Sequence, residues 1–123
     1  SLGDVRGLDY HDESALVLSC GVDDVIRLWN AETGAEVREF SHPGSLWGVK
    51  FSADGRFFVS GGDVGADGFA EIRYWDIRDT DEPRRTLAVR GSVKALAFSQ
   101  DGKRVAVGAG SSLVIWDLES RLK

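Results

Sequence analysis

Arg73-Tyr74-Trp75-Asp76 ends a stretch that this chain carries three times. The other two endings are Arg27-Leu28-Trp29-Asn30 and Val114-Ile115-Trp116-Asp117. Upstream of each stands a second matching segment. These read Leu8-Asp9-Tyr10-His11-Asp12-Glu13, Val49-Lys50-Phe51-Ser52-Ala53-Asp54-Gly55 and Leu96-Ala97-Phe98-Ser99-Gln100-Asp101-Gly102. Self-similarity at this period marks a repeat architecture, in which each unit buries its apolar face against its neighbours.

The spacing drifts in an informative way. Trp29 to Trp75 is 46 residues and Trp75 to Trp116 is 41, whereas Tyr10 to Phe51 is 41 and Phe51 to Phe98 is 47. Both drifts follow if the middle unit holds an insert of five or so residues between its Asp-Gly turn and its Trp. The Gly-rich stretch Gly65-Ala66-Asp67-Gly68-Phe69 fits a surface loop of that kind.

Each unit is built of short strand signals. The first has them at Val5 to Tyr10, Ala15 to Cys20, Val25 to Trp29 and Ala35 to Phe40, with turn formers between them. No segment holds a helical apolar period long enough for a helix. The expectation is all-β: three units at about 4–40, 42–87 and 91–123, each a four-stranded antiparallel sheet, the last without its outer strand.

On these residues the chain resembles the WD-repeat family of β-propellers, whose repeats run about 40–45 residues with Gly-His near one end and Trp-Asp near the other. Trp-Asp stands at Trp75-Asp76 and Trp116-Asp117, and becomes Trp29-Asn30 in the first unit. The resemblance implies a buried network of His, Ser or Thr, Asp and Trp in each blade. The first unit offers Ser19, Asp23 and Trp29 but no His. The second offers His42, Ser60 and Trp75, with Asp63 or Asp67 as stand-ins for an Asp that the insert displaces. The third keeps only Trp116, with Arg90-Gly91 where Gly-His would be and Val107 where the Ser would be. A polar network in a dry site helps only when its members are satisfied, so losing His and Ser together does less harm than losing one. The side chains expected deepest in the core are Trp29, Trp75, Trp116, Phe51 and Phe98.

A propeller closes at typically 4–8 blades. Three blades leave apolar faces and strand edges open to another chain. The expectation is a fragment of a longer propeller; the rival is an assembly whose subunits pool their blades.

The resemblance also points to the rim where first strands begin, a place where partners of such propellers dock. Aligning Leu8, Val49 and Leu96 brings Arg6, Trp47 and Lys94 to one position. Asp4, Ser45 and Ser92 fall two residues earlier, on the same strand face. A Trp between two cations has the composition of a binding hot spot. Packing between blades would also account for Trp47. Separately, Trp75-Asp76-Ile77-Arg78 resembles the Trp-Asp-x-Arg signature of cullin-RING ubiquitin-ligase substrate receptors, in which Asp76 and Arg78 would meet an adaptor.

Other chemistry finds little support. His11 and His42 lie in separate turns, and no catalytic triad or zinc spacing appears. The glycine pairs lead into strands, whereas phosphate-cradling loops lead into a helix amino end. No catalytic residue, metal or cofactor is assigned. The net charge of −5 argues against nucleic acid as the main partner, since a phosphate-binding face needs a basic excess. Arg84-Arg85 is flanked by Asp79, Asp81 and Glu82 and reads as a solvated loop. The single cysteine, Cys20, sits among apolar strand residues and reads as a small core side chain. No apolar run reaches membrane-span length, and nothing at the amino end resembles a signal peptide. The reading is a non-enzymatic scaffold that binds a protein or peptide, in the cytoplasm or nucleus.

Overall fold

The computed structural model describes residues 4–79 and 81–118. All regular structure among them is strand. The first sheet runs β1 (Val5–His11), β2 (Leu16–Gly21), β3 (Val25–Asn30) and β4 (Glu36–Ser41). The second runs β5 (Leu46–Phe51), β6 (Phe57–Gly62), β7 (Phe69–Asp76) and β8 (Arg85–Arg90). The third holds β9 (Val93–Phe98), β10 (Arg104–Ala109) and β11 (Ser112–Asp117). Every sheet is an antiparallel meander with strands in chain order. β5 lies between β1 and β9, so the first strands sit side by side along one edge of an arc.

The strands start and stop where local chemistry dictates. In the turn after β5, Ser52 Oγ donates to Asp54 Oδ1 at 2.6 Å, and Gly55 takes a φ of 75°. The turn after β9 repeats this with Ser99, Asp101 and Gly102. In the first unit His11 replaces the Ser. There Ala15, not a glycine, adopts the positive φ of 55°, a conformation that crowds its Cβ.

Alternation places one row of side chains towards the preceding sheet and the other towards the following one. Leu18, Cys20, Ile26, Leu28 and Phe40 of the first sheet pack on Leu46, Val49, Phe51, Phe58 and Trp75 of the second. On its other face the second sheet sets Val59, Ala70, Ile72 and Val89 against Val93, Leu96, Val105, Val107 and Trp116 of the third. Each such aliphatic or aromatic side chain contributes about 1.5–3 kcal/mol on full burial. The rows of Trp75 and Trp116 thus face the sheet before them.

Several expectations need correction. Trp29 and Phe98 are half-buried, unlike Trp75, Trp116 and Phe51. Trp29 faces the side of the first sheet that no other sheet covers among the described residues. His11 packs against the Phe51 ring at 5.5 Å, and Tyr74 lies tilted against the Phe98 ring at 6.2 Å. The strands start later than Ala15 and Ala35, at Leu16 and Glu36. The outer strand of the second unit runs on to Arg90, past the expected end at 87. The expected end of the third unit, at 123, lies outside the described residues. Among those residues the third sheet has three strands.

Insert geometry follows the spacing argument. Gly21 to Trp29 is 8 residues, whereas Gly62 to Trp75 is 13. Three of the extra residues lengthen the loop between the strands, and two lengthen β7. Phe69 is therefore the first residue of a strand, not part of the loop. The loop is tied to the third unit: Val64 N–H donates to Ser92 Oγ at 2.9 Å, and Gly91 N–H to the Gly68 carbonyl at 3.2 Å.

Candidate functional site

A β-bulge opens the first strand of every unit. Pairing slips between Val5 and Gly7, between Leu46 and Gly48, and opposite Gly108 and Ala109, where Val93 and Ala95 pair but Lys94 does not. The three residues left out of the ladders are Arg6, Trp47 and Lys94. A bulge re-aims the side chain of its extra residue. Here it turns three side chains from three units onto one spot.

The spot is layered. The Arg6 guanidinium lies over one part of the Trp47 ring, 4.2 Å from its centroid. The Lys94 ammonium approaches the same ring at 4.6 Å. The Trp47 indole N–H donates to Asp63 Oδ1, and Asp63 Oδ2 stands 3.6 Å from Arg6 Nη1. Each cation–ring contact contributes about 0.5–1 kcal/mol at an exposed site. Trp47 is half-buried, while Arg6 and Lys94 are exposed. The ring is thus both an inter-blade packing element and a support that holds two cations outward.

Asp4, Ser45 and Ser92 have a different task. Their carbonyls accept the N–H of Val22, Asp63 and Gly110 at 3.3, 2.8 and 3.2 Å. The same bond recurs in all three units and closes each bulge onto the end of the second strand. A Cβ at Gly21 or Gly62 would come within 1.9 or 2.1 Å of those carbonyl oxygens in the first two units. Glycine is therefore required there. Ser92 alone of the three also offers its hydroxyl, to the insert. The residue that sequence reasoning missed at this spot is Asp63. Its counterparts in the other two units are Val22 and Gly110, so the repeat alignment offers no like residue to single it out.

The buried network goes furthest in the middle unit, where three of its four members meet. Trp75 Nε1–H donates to Ser60 Oγ at 3.1 Å, and Ser60 lies 2.7 Å from His42 Nδ1. The Ser60 hydroxyl accepts from Trp75, which leaves its own hydrogen to donate to Nδ1 of a neutral ring. Burial, then the nearby Arg73 charge, pushes the His42 pKa down to about 4, so the ring is neutral. In the first unit Trp29 Nε1–H donates to Ser19 Oγ at 2.9 Å, but Asp23 turns to Arg27 Nη1 at 2.9 Å. With no His to receive it, the carboxylate pairs with the nearest cation. Neither stand-in joins the middle network: Asp63 belongs to the rim, and Asp67 caps Phe69 N–H at 3.0 Å.

Asp76 and Arg78 do not form a shared exposed surface. Asp76 is buried, with Arg56 Nη2 at 3.2 Å and Arg84 Nη1 at 3.6 Å from Oδ2. Burial works to raise its carboxyl, but the Arg78 N–H and the Arg56 guanidinium outweigh it and hold it below the usual carboxylate range. Arg78 is exposed. The adaptor reading therefore lacks one of its two contacts.

Among the described residues no cluster of three His, Cys, Asp or Glu could hold a metal. No helix among them is long and apolar enough to cross a membrane. Burial pushes the Cys20 thiol up to about 11, which makes it a poor nucleophile.

The chain is 31% identical over 121 residues to a protein of Caenorhabditis elegans described as transcription initiation factor TFIID subunit 5. It is 29% identical over 119 residues to the WD repeat-containing protein SL1-17 of Schistosoma mansoni. These alignments take in 96% and 94% of this chain but 18% and 38% of the relatives, so it spans well under half the length of either. The family model described as WD domain, G-beta repeat matches residues 2–30, 34–76 and 81–117, one match per repeat. Together with three antiparallel sheets in register, this makes the chain a member of the WD-repeat family.

Proposed function

We propose that this chain is a non-enzymatic scaffold within a larger assembly, and that a protein or peptide partner docks at the rim cluster of Arg6, Trp47 and Lys94. The observation that carries it is the convergence of three bulged residues, one from each blade, with both cations presented outward. Blade packing supplies the rigidity, so little ordering cost falls on the scaffold when a partner binds. Ser45 and Ser92 border the cluster, and Asp4 neighbours Arg6. The relative described as a subunit of a transcription initiation factor supports a role in a multi-subunit complex, and with it a nuclear location. Additional blades, from the same parent chain or from another subunit, complete the propeller. The acidic balance of −5 leaves nucleic acid a minor partner at most.

Affinity capture from nuclear and cytoplasmic extracts tests the rim. Wild type, Lys94→Glu and Trp47→Ala are compared with Glu32→Lys, a charge change in an exposed turn. The reading expects bound partner to fall about tenfold or more with the two rim variants, as hot-spot losses do, and to persist with Glu32→Lys. Equal capture by all four would overturn it.

A further inference from the structure

The insert of the middle unit raises one wall of a groove. The loop between second and third strands covers residues 63–68 there, but only residues 22–24 and 110–111 in the other units. With the start of the lengthened β7, that loop borders an open groove of about 690 Å³. The other walls are the link between β4 and β5 and part of β8.

Two kinds of side chain line it. Pro43, Val64 and Phe69 supply apolar surface, and Val64 and Phe69 are 40% and 37% exposed. Asp63, Asp67 and Glu71 supply three carboxylates, and no Lys, Arg or His joins them in the lining. Apolar surface left wet beside uncompensated acid calls for an apolar and cationic mate.

The carboxylates keep room for one. Glu71 pairs with Arg73, whose guanidinium also reaches the Ser41 carbonyl at 2.8 Å. Asp63 stands 3.6 Å from Arg6. Asp67 accepts the Phe69 N–H with Oδ1 at 3.0 Å, and no salt bridge among the described residues engages it. An ionised carboxylate has about four acceptor sites, so each of the three can meet a further donor. A metal ion does not suit them, because among the described residues no three such groups lie close enough to hold one.

The groove is also formed in advance. Gly65 N–H bonds the Phe69 carbonyl at 2.8 Å, and Gly68 N–H bonds the Gly65 carbonyl at 3.0 Å. Arg90 lies over the Phe69 ring, 4.6 Å from its centroid. With the two bonds to the third unit, these contacts hold the wall in place, so a ligand orders little on arrival.

We infer that the groove binds a protein segment in which a bulky aliphatic or aromatic side chain is flanked by Lys or Arg. The apolar side chain covers Val64 and Phe69, and the cations meet Asp67, Glu71 and Asp63. The methylene stems of Lys and Arg add apolar cover of their own. The inference goes beyond the rim reading. It names a second surface, opposite in sign to Arg6 and Lys94, and built largely from residues that the repeat does not specify.

Fluorescence anisotropy on the full chain, with labelled synthetic peptides, tests it. The probes carry Leu or Phe between Lys and Arg residues. One control set replaces the basic residues with Glu, and another replaces Leu and Phe with Ser. The probes should bind, less tightly as salt rises, and both control sets should bind more weakly. Phe69→Ser should weaken the probes about tenfold, as loss of an apolar anchor does. Asp67→Asn combined with Glu71→Gln should weaken them about fivefold and flatten the salt dependence. Asn keeps the oxygen that accepts from Phe69 N–H, and circular dichroism checks the fold of both variants. Lys94→Glu at the rim should not weaken the probes. Absence of probe binding, equal binding by the Glu set, or unchanged affinity in both groove variants would overturn the inference. So would a loss confined to Lys94→Glu, which would put the peptide at the rim. Each of these failures leaves the rim reading to its own capture test.

Discussion

The middle blade is covered on both faces and the first blade on one, although the two carry matching side chains at matching strand positions. Trp75 is fully buried and its N–H ends in a three-member network; Trp29 is half-buried and its N–H stops at Ser19. Val49 is in the core and Leu8 is in solvent. What the difference teaches is that burial here belongs to the neighbour, not to the residue. A repeat unit presents two faces, and only the next unit turns a face into core.

The sharpest way to break the comparison is to truncate each of the two tryptophans in turn. Trp75→Ala should cost about 3–5 kcal/mol, as expected for a buried aromatic. Trp29→Ala should cost about half of that or less, since part of its surface is already wet. Equal losses in urea melts would erase the distinction.

The His42 ring offers a pH test of the middle blade. Its folded pKa, about 4, lies below the ordinary value of 6.5. As pH falls from about 6.5 to 4 the unfolded chain binds a proton that the folded one refuses, so stability falls across that window by as much as about 3 kcal/mol. Above it the neutral ring's contribution is fully present. Melts of wild type and His42→Gln between pH 7 and 4 should converge as pH drops. Parallel curves would contradict a buried neutral His.

Ser60→Ala comes next. It strands the Trp75 N–H and the His42 Nδ1 in a dry site and should cost about 1–3 kcal/mol. Ser19→Ala, in the half-open first blade, should cost less, because water can reach the Trp29 N–H. The smallest effect is a gain. Ala15→Gly relieves a positive φ that the other two turns give to glycine, and should stabilise by about 1 kcal/mol. No change in the melt would mean that the turn carries no strain.

Much of this was readable from the repeat. The three Trp strands and the two Phe-Ser-x-Asp-Gly turns set the register, and the register alone aligned Arg6, Trp47 and Lys94. Comparing 46 with 41 residues between tryptophans located the insert. Three things were not readable, each for a physical reason. The bulges that lift the rim residues are slips in pairing, and pairing has no signature in a single strand. Asp63 reaches Trp47 from a position that Val22 and Gly110 hold in the other blades, where neither side chain could accept from an indole. The half-burial of Trp29 depends on what stands opposite it, and among the described residues no sheet does.

Hydrogen exchange at the indole N–H groups, read by NMR, bears most directly on the claim that burial here belongs to the neighbouring blade. The account predicts that the Trp75 proton, in a fully covered face, is strongly protected and that the Trp29 proton, on a half-buried ring, exchanges faster. Equal protection of the two would contradict it.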